Sequence, residues 1–285
     1  MKPDTLCIAM LDQAYTLRQL VQTVPTAARQ ERFSPPMIVV AGGRAGVGAT
    51  TVAANLGAVL ADQGERIILV DGAIQDGDLA QVAGVSPAIQ RWLDEVIAGE
   101  CSAAEALAPG PAGTLMLAQR RIHREGLDTS RPAQQRLFSE LQALESEASL
   151  LVVDAGSGAS PWTRRFWLRA RVVIVVTSTD DLALLDSYAL VKQHVGEGVN
   201  ADIRVLANLC ERDAAAGEAY RRFSDACQRF LSRSVRALPA LPKHAPAVGA
   251  RAGATPRVWE RPDSPFGHAV MWLGRAVTDA MRDEG

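Results

Sequence analysis

The chain lacks any apolar run long enough to cross a membrane. None of its uninterrupted apolar stretches approaches the roughly eighteen residues that a spanning helix needs. The segment Met1–Met10 carries an acidic side chain and has no apolar core of the kind found in secretory signal peptides. We therefore expect a cytoplasmic protein.

Patterns for metal ligands and disulfides are also missing. The four cysteines, Cys7, Cys101, Cys210 and Cys227, are far apart, form no CxxC pair and have no histidine cluster near them. The sequence thus suggests neither a zinc site nor a disulfide framework. We interpret the thiols as buried or idle, and assign no histidine a catalytic role.

Neither sign of charge is in clear excess. With 30 basic and 32 acidic residues, the net charge is −2, which gives no general attraction to nucleic acid. Sequence-specific nucleic acid is therefore not expected as a partner. The apolar content of 48% is enough to bury a large core, as one domain or as one domain with extensions.

What the sequence does contain is a glycine-rich stretch between a predicted strand and a predicted helix. The apolar run Met37–Ala41 predicts a buried strand, and a periodic helical segment begins at Thr50. Glycines in such a loop let backbone N–H groups converge on phosphate oxygens, and the threonine hydroxyl reaches Mg²⁺. Gly43, Gly48 and Thr50 have the spacing of GxxxxGK[ST], but Ala49 stands where lysine is expected.

The missing lysine predicts weaker nucleotide binding. A lysine at this position contacts the β- and γ-phosphates as a point charge, so alanine removes the largest single attraction and leaves the backbone cradle intact. Spacing alone leaves one alternative open, a glycine-rich turn of some other α/β protein.

Predicted strands and helices alternate from Met37 onward. The strands are predicted at 37–41, 66–70, 114–117, 149–153, 172–177, 202–207 and near 235–238. Near-continuous Val and Ile, as in Val172–Val176, is typical of strands that are buried on both faces. We predict an α/β fold with a doubly wound, mainly parallel sheet and helices on both faces. Ligands bind such sheets at the carboxyl ends of the strands, where the glycine-rich loop, Asp71 and Asp154 are placed.

Asp154 ends one of these predicted strands and precedes Ala-Gly-Ser-Gly. A carboxylate at a strand tip that faces the phosphate loop is placed to hold a Mg²⁺-linked water. The alternative is an aspartate that caps a turn. Its co-occurrence with the glycine-rich loop favours the metal role, so Thr50 and Asp154 are the predicted Mg²⁺ residues.

Residues 1–34 form a predicted N-terminal extension ahead of a domain over 35–285. A short amphipathic helix is predicted at about residues 11–22, because one helical face is apolar. That face contains Leu11, Ala14, Leu17, Leu20 and Val21. The following segment, 23–36, has the composition of a linker. Such a helix either folds back on the core or binds in the groove of a partner.

Two further segments each have two interpretations. An apolar stripe over 266–282 predicts a C-terminal helix that either packs on the core or docks on a membrane surface. The stretch 162–171 combines arginines with Trp162, Phe166 and Trp167. It is either an interface for a partner or nucleic acid, or a segment whose aromatic rings face the core.

Several stretches together resemble the deviant Walker A ATPases of the MinD/ParA class. The run Gly42–Gly57 resembles their phosphate loop and following helix, and Asp154–Gly158 resembles their switch II loop. Within the class the chain looks most like the FlhG/FleN regulators of flagellar number and placement, because Asp12–Arg18 matches their DQAxxLR motif. Thr177–Lys192 and Arg204–Asn208 are similar to further segments of that family. The resemblance covers nearly the whole chain.

This resemblance implies ATP or ADP with Mg²⁺ as the cofactor, bound weakly; binding of no nucleotide is the alternative. The implied nucleotide-binding residues are Gly43, Arg44, Gly46, Val47, Gly48, Ala49, Thr50, Thr51 and Asn208. Asn208 would contact adenine. Arg44 takes the place of a signature lysine that reaches the partner's phosphates in a nucleotide-dependent homodimer, and it keeps the charge.

Two departures from the family bear on catalysis. Ala49 replaces the loop lysine, and the switch I pattern Asp-x-Asp reads Asp71–Ala73, so the second, water-positioning aspartate is missing. An aspartate of the 76–78 segment is the nearest substitute, although a shift of three or more residues along a loop disfavours an equivalent geometry. Because phosphoryl transfer depends on positioning and electrostatics, we expect very slow or undetectable ATP hydrolysis. Asp71 and Arg44 are the remaining catalytic candidates.

Partners are implied by the same resemblance. The N-terminal helix would engage an FlhF-type signal-recognition GTPase through Asp12, Gln13, Leu17 and Arg18. Flagellar switch proteins or transcription regulators are further candidates, at the inner membrane or the cell pole. Two alternatives stay open: a working ATP-dependent MinD-like dimerisation and membrane switch, and an accessory MinD-like protein of cellulose export.

Overall fold

The computed structural model describes residues 33–74, 77–85, 90–120, 128–196, 198–243 and 262–282. The predicted N-terminal helix and its four partner-binding residues lie outside the described residues, as does Asp76. The predictions made for them therefore stay predictions.

Strands and helices alternate along the described chain. The strands are β1 Met37–Gly42, β2 Ile67–Asp71, β3 Ala108–Pro109, β4 Leu115–Leu117, β5 Leu150–Ser157, β6 Val172–Thr177, β7 Asp202–Ala207 and β8 Arg236–Ala237. The helices are α1 Ala49–Asp62, α2 Leu79–Val82, α3 Leu93–Ala98, α4 Arg131–Ala143, α5 Pro161–Trp167, α6 Asp181–His194, α7 Asp213–Leu231 and α8 Pro265–Arg282. Short 3-10 turns lie at Pro111–Gly113 and Leu144–Ser146.

The described strands form one sheet in the order β3-β4-β2-β5-β1-β6-β7-β8. All neighbouring pairs are parallel except β3 with β4, which is antiparallel. The predicted mainly parallel α/β sheet is confirmed. Strand β3 was not predicted, because two residues that include a proline give no recognisable strand pattern.

The central strands are buried on both faces, as their composition predicted. Every residue of β1 and of β6 is buried. Successive side chains of β1 point to opposite sides, so Met37 and Val39 belong to one core cluster, and Ile38 and Val40 belong to the other. Each such side chain stabilises the folded state by about 1.5–3 kcal/mol when it is buried. The sheet is therefore stabilised by the helix layers on both of its faces.

Helix α8 packs against α1 on one face of the sheet. Its apolar stripe, including Val270, Leu273 and Val277, is buried in the same cluster as Ile38 and Val40 of β1. Gly274 allows a close approach, because an added Cβ would lie 2.5 Å from the Val59 Cγ1 atom. Of the two interpretations of this stripe, the described structure shows packing on the core. None of the described helices is both long and apolar enough to cross a membrane.

In the arginine and aromatic stretch, the aromatic rings face the core and the arginines lie at or near the surface. Trp162, Phe166 and Trp167 are at most 2% exposed. Arg165 donates from Nε to the Gln134 side-chain oxygen at 2.6 Å. The Arg169 guanidinium lies 4.0 Å from the centre of the Phe138 ring. The aromatic rings are therefore unavailable for stacking on a nucleic acid in this structure.

Candidate functional site

The glycine-rich loop joins β1 to α1 in the predicted strand, loop and helix arrangement. Gly46 and Gly48 have φ angles of 85° and 90°, a left-handed conformation that favours glycine. Gly48 is the N-cap residue of α1 and supplies no side-chain cap, and the first turn contains no acidic residue. The first backbone N–H groups and the positive end of the helix dipole therefore face a position suited to an anion.

Asn208 fastens this loop to the end of β7. Its Nδ2 atom donates a hydrogen bond to the Val47 carbonyl oxygen at 2.8 Å. A Cβ atom at Gly48 would collide with the same amide group, so the contact requires glycine there. The other amide atom, Oδ1, is buried without a hydrogen-bond partner among the described residues. The predicted contact between Asn208 and adenine stays a prediction.

We expect Asn208→Ala to lower the free energy of unfolding by about 1 kcal/mol, because one buried hydrogen bond to the loop is lost. Urea denaturation of the ligand-free protein measures this. Arg212→Ala, at an exposed position a few residues later, is the control and should change stability by less than about 0.5 kcal/mol. Equal effects of the two substitutions would show that the hydrogen bond does not stabilise the loop.

Two buried carboxylates lie side by side, Asp71 at the end of β2 and Asp154 within β5, which continues to Ser157 and so runs past the predicted strand end at residue 153. Asp71 and Asp154 are register partners across these parallel strands, and each is 0% exposed. Asp154 accepts a hydrogen bond from the Gly156 N–H at 3.0 Å, and Asp71 accepts one from the Leu79 N–H at 3.3 Å. The second oxygen of each, Oδ2 of Asp154 and Oδ1 of Asp71, makes no hydrogen bond of regular geometry within the described part.

Burial changes the titration of both groups. It raises the pKa of Asp154 to about 6, although the Thr50 hydroxyl and the Gly156 N–H act in the opposite direction. Burial, followed by the neighbouring charge of Asp154, raises the pKa of Asp71 well above its ordinary value. Neither forms an ion pair with a basic side chain in the described structure. A nearby cation would compensate this negative charge.

This arrangement fits a Mg²⁺ ion that is coordinated partly by the protein and partly by a bound nucleotide. In the described part of the chain, no group of three or more His, Cys, Asp and Glu side chains is placed to hold a metal ion. Mg²⁺ commonly takes only one or two protein ligands and completes its shell with waters and phosphate oxygens. The Thr50 hydroxyl and the orphaned oxygen of Asp154 suit that role, so nucleotide would have to bring the remaining ligands.

A cavity of about 540 Å³ opens between the loop and the residues that follow Asp71 and Asp154 in the chain. Its volume lies within the range of about 300–1,000 Å³ that small-molecule sites have. The loop side of its described wall contains Arg44, Ala45, Gly46, Gly48, Ala49, Thr50 and Thr51. The opposite side contains Gly72, Ala73, Ile74, Asp78, Ala155, Gly156, Ser157 and Trp162. Most of the predicted nucleotide-binding residues thus border one space.

The two alanines that replace family residues both line this cavity. Ala73 lies against the last residues of β5, where an added Cβ at Gly156 would come within 2.8 Å of the Ala73 Cβ. Along the wall as described, Arg44 is the one basic residue, so no lysine replaces the one missing at Ala49. Asp78 also lines the cavity, whereas the structure leaves Asp76 undescribed.

Arg44 is held against its own chain. Its guanidinium lies 3.9 Å from the Asp180 Oδ1 atom and 3.7 Å from the Asp186 Oδ2 atom, with 44% of the side chain exposed. The neighbouring Gly43 is pressed against the backbone of Ser187 in α6. Exposed ion pairs of this kind contribute about 0–1 kcal/mol, so Arg44 is oriented by α6 but not locked to it.

Sequence reasoning missed the residues that surround this loop from distant parts of the chain. Asp180 and Asp186 lie in the segment that resembled the family, but nothing in the pattern paired them with Arg44. Trp162 was assigned to an aromatic cluster and also lines the cavity. Its position directly after the switch II loop was the available signal.

Comparisons with known proteins show which proteins this chain is similar to. A family model described as the CobQ/CobB/MinD/ParA nucleotide binding domain matches residues 38–244. The antiactivator FleN of Pseudomonas aeruginosa is 27% identical over 72% of this chain and 73% of its own. The flagellum site-determining protein YlxH of Helicobacter pylori is 24% identical over 75% of this chain and 71% of its own. The septum site-determining protein MinD of Pyrococcus horikoshii, solved with Mg-ADP, superposes with a TM-score of 0.70 at 22% identity, covering 85% of this chain and 95% of that one.

Proposed function

Because the chain belongs to the CobQ/CobB/MinD/ParA nucleotide-binding family, we propose that it is a nucleotide-binding regulator of flagellar biosynthesis, number and placement. The similarity to FleN and YlxH supports the flagellar role, together with the DQAxxLR motif at Asp12–Arg18. Support for nucleotide binding comes from the cavity beside the glycine-rich loop, whose opposite wall is formed by residues that follow the buried Asp71 and Asp154 in the chain. One observation carries this proposal: the loop keeps the GxxxxGK[ST] spacing and has Ala49 in place of the lysine.

We propose that the regulator acts mainly through protein contacts. Ala49 and Ala73 stand where the family has a lysine and an aspartate. The site would therefore bind nucleotide weakly and hydrolyse ATP very slowly or not at all. The active element would then be the N-terminal helix, presenting Asp12, Gln13, Leu17 and Arg18 to an FlhF-type GTPase. A glutamine delivered into a GTPase site can orient the attacking water, which is the role proposed for Gln13.

A peptide spanning residues 4–24 tests this proposal. We expect the peptide, like the whole chain, to raise GTP turnover by an FlhF-type GTPase from the same genome by about tenfold or more, as a water-orienting group does. Gln13→Ala should abolish the stimulation. Thr16→Ala, at a variable position of the motif, is the matched control and should retain it. No stimulation by the unsubstituted peptide would remove the main argument for this role.

A second candidate function is favoured by one observation, the position of Asp78 in the cavity wall. If Asp78 positioned water and Arg44 served the phosphates, the chain would be a working ATP-dependent dimerisation switch. Sedimentation with ATP and Mg²⁺ would then show dimers, and phosphate release would depend on Asp78. ATP-dependent dimers without phosphate release would instead fit a switch that has lost hydrolysis.

A further inference from the structure

The described cavity wall provides contacts for one end of a bound polyphosphate. At the start of α1, the backbone N–H groups that follow Gly48 are uncapped, and the Thr50 hydroxyl lies beside Asp154. In loops of this kind the backbone N–H groups cradle the α- and β-phosphates, and the hydroxyl binds the associated Mg²⁺. These contacts need no side chain at position 49, so they are intact in this chain.

Where a γ-phosphate would lie, the wall offers no fixed positive charge. Ala49 ends at its Cβ atom and is 7% exposed, so it adds a methyl group where a lysine would contact the β- and γ-phosphates. Arg44, the one cation in the described wall, lies 3.9 Å from Asp180, the N-cap residue of α6, and 3.7 Å from Asp186 on that helix. A γ-phosphate therefore gains little attraction beyond what a diphosphate already receives.

The charge that the opposite side of the described wall carries is negative. Asp78 lines the cavity there, and no basic residue stands beside it on that side of the described wall. The added charge of a triphosphate is repelled by this carboxylate, and such repulsion is stronger near protein than in bulk solvent. The γ-phosphate thus brings a cost and no matching contact.

From these contacts we propose that the site binds a nucleoside diphosphate with Mg²⁺ at least as tightly as the triphosphate. The site would then respond to the presence of nucleotide and would not distinguish the two phosphorylation states. This inference rests on the proposed function only in taking the cavity as a nucleotide site. It does not depend on the N-terminal helix or on any GTPase.

Isothermal titration calorimetry on the full chain tests the proposal. ADP and a non-hydrolysable ATP analogue are titrated separately in the same excess of Mg²⁺, and the ratio of the two dissociation constants is the readout. We expect ADP to bind as tightly as the analogue or more tightly. Ala49→Lys should change this ratio by about tenfold in favour of the triphosphate, because it restores a charge-assisted contact to the γ-phosphate.

Ala49→Met is the matched control, since it has nearly the length of lysine without its charge. It should leave the ratio of the unsubstituted chain unchanged. An analogue that binds the unsubstituted chain reproducibly tighter than ADP would overturn the proposal. Absence of heat with both nucleotides at millimolar concentration would overturn it too, while stimulation of the GTPase by residues 4–24, measured separately, would still decide the proposed regulatory role.

Discussion

The double substitution Ala49→Lys with Ala73→Asp is expected to raise ATP turnover at least about 100-fold above that of the unsubstituted chain. Each added group supplies a function that phosphoryl transfer requires, and removing one such group from an enzyme typically costs about 10²–10³ in rate. Both alanines line the same cavity, so the new side chains would face the same bound nucleotide. Phosphate release in the presence of Mg²⁺ measures the effect.

The backbone geometry favours this outcome at position 73. Ala73 already has a Cβ atom that packs against the loop at Gly156, whose φ of 68° fixes a left-handed turn. Because Ala73 also lines the cavity, the carboxylate of an aspartate there has open space to enter. Ala49→Lys alone should tighten nucleotide binding more than it raises turnover, because the lysine clamps phosphate and does not position water.

The control for this gain is a third substitution, Thr50→Ala, added to the double variant. It removes the predicted Mg²⁺ hydroxyl and should return phosphate release to the level of the unsubstituted chain. Turnover that persists without Thr50 would mean that the signal comes from a contaminating ATPase. If the double variant folds and binds ATP but releases phosphate no faster than the unsubstituted chain, Ala49 and Ala73 are not what limits hydrolysis.

The fold was predictable because its strongest signals are local. Val172–Val176 has no polar alternation, and a strand of this kind is stable only when helices cover both faces of the sheet. Because parallel strands end at a common edge, the positions of Asp71 and Asp154 just after two predicted strands were enough to place them together. Strand β3, in contrast, consists of Ala108–Pro109 and owes its place to pairing with β4.

The remaining features depend on contacts between distant segments. The sequence shows that Arg44 is charged, but not that α6 brings Asp180 and Asp186 to within 4 Å of it. The apolar stripe of α8 has the same spacing whether it meets α1 or a membrane, so only the packing against Val59 decides between them. The path of the loop after β2 is similarly unspecified, and it is this path that places Asp78 in the cavity wall.

The second large effect concerns the stability of the ligand-free protein. Asp154 is fully buried and has a pKa of about 6 in place of its ordinary 3.8, because burial disfavours the charged form. A difference of about two units corresponds to roughly 3 kcal/mol that the folded state loses once the carboxyl is ionised. Such a group is expected where its charge is needed for a ligand, since it destabilises the fold without one.

We therefore expect Asp154→Asn to raise the free energy of unfolding by about 3 kcal/mol at pH values above about 6. The asparagine retains an acceptor for the Gly156 N–H and carries no charge. A carboxyl whose pKa is higher in the folded state than in the unfolded state favours folding only while it is protonated. Its contribution to the free energy of unfolding is lost as the pH rises through the folded-state pKa. The gain from the substitution should therefore shrink as the pH falls from about 6 towards 4, and vanish below the unfolded pKa, where both states hold the proton.

Urea denaturation across this pH range, with a metal chelator present, measures the predicted difference. Asp225→Asn, at an exposed position on α7, is the control and should change stability by less than about 0.5 kcal/mol throughout. Adding Mg²⁺ and nucleotide should stabilise the unsubstituted chain and should have little effect on Asp154→Asn, because a ligand stabilises only the state that binds it. A variant that is less stable than the unsubstituted chain at pH 8, or one that responds fully to Mg²⁺ and nucleotide, would show that the buried carboxylate serves the fold and not the ligand.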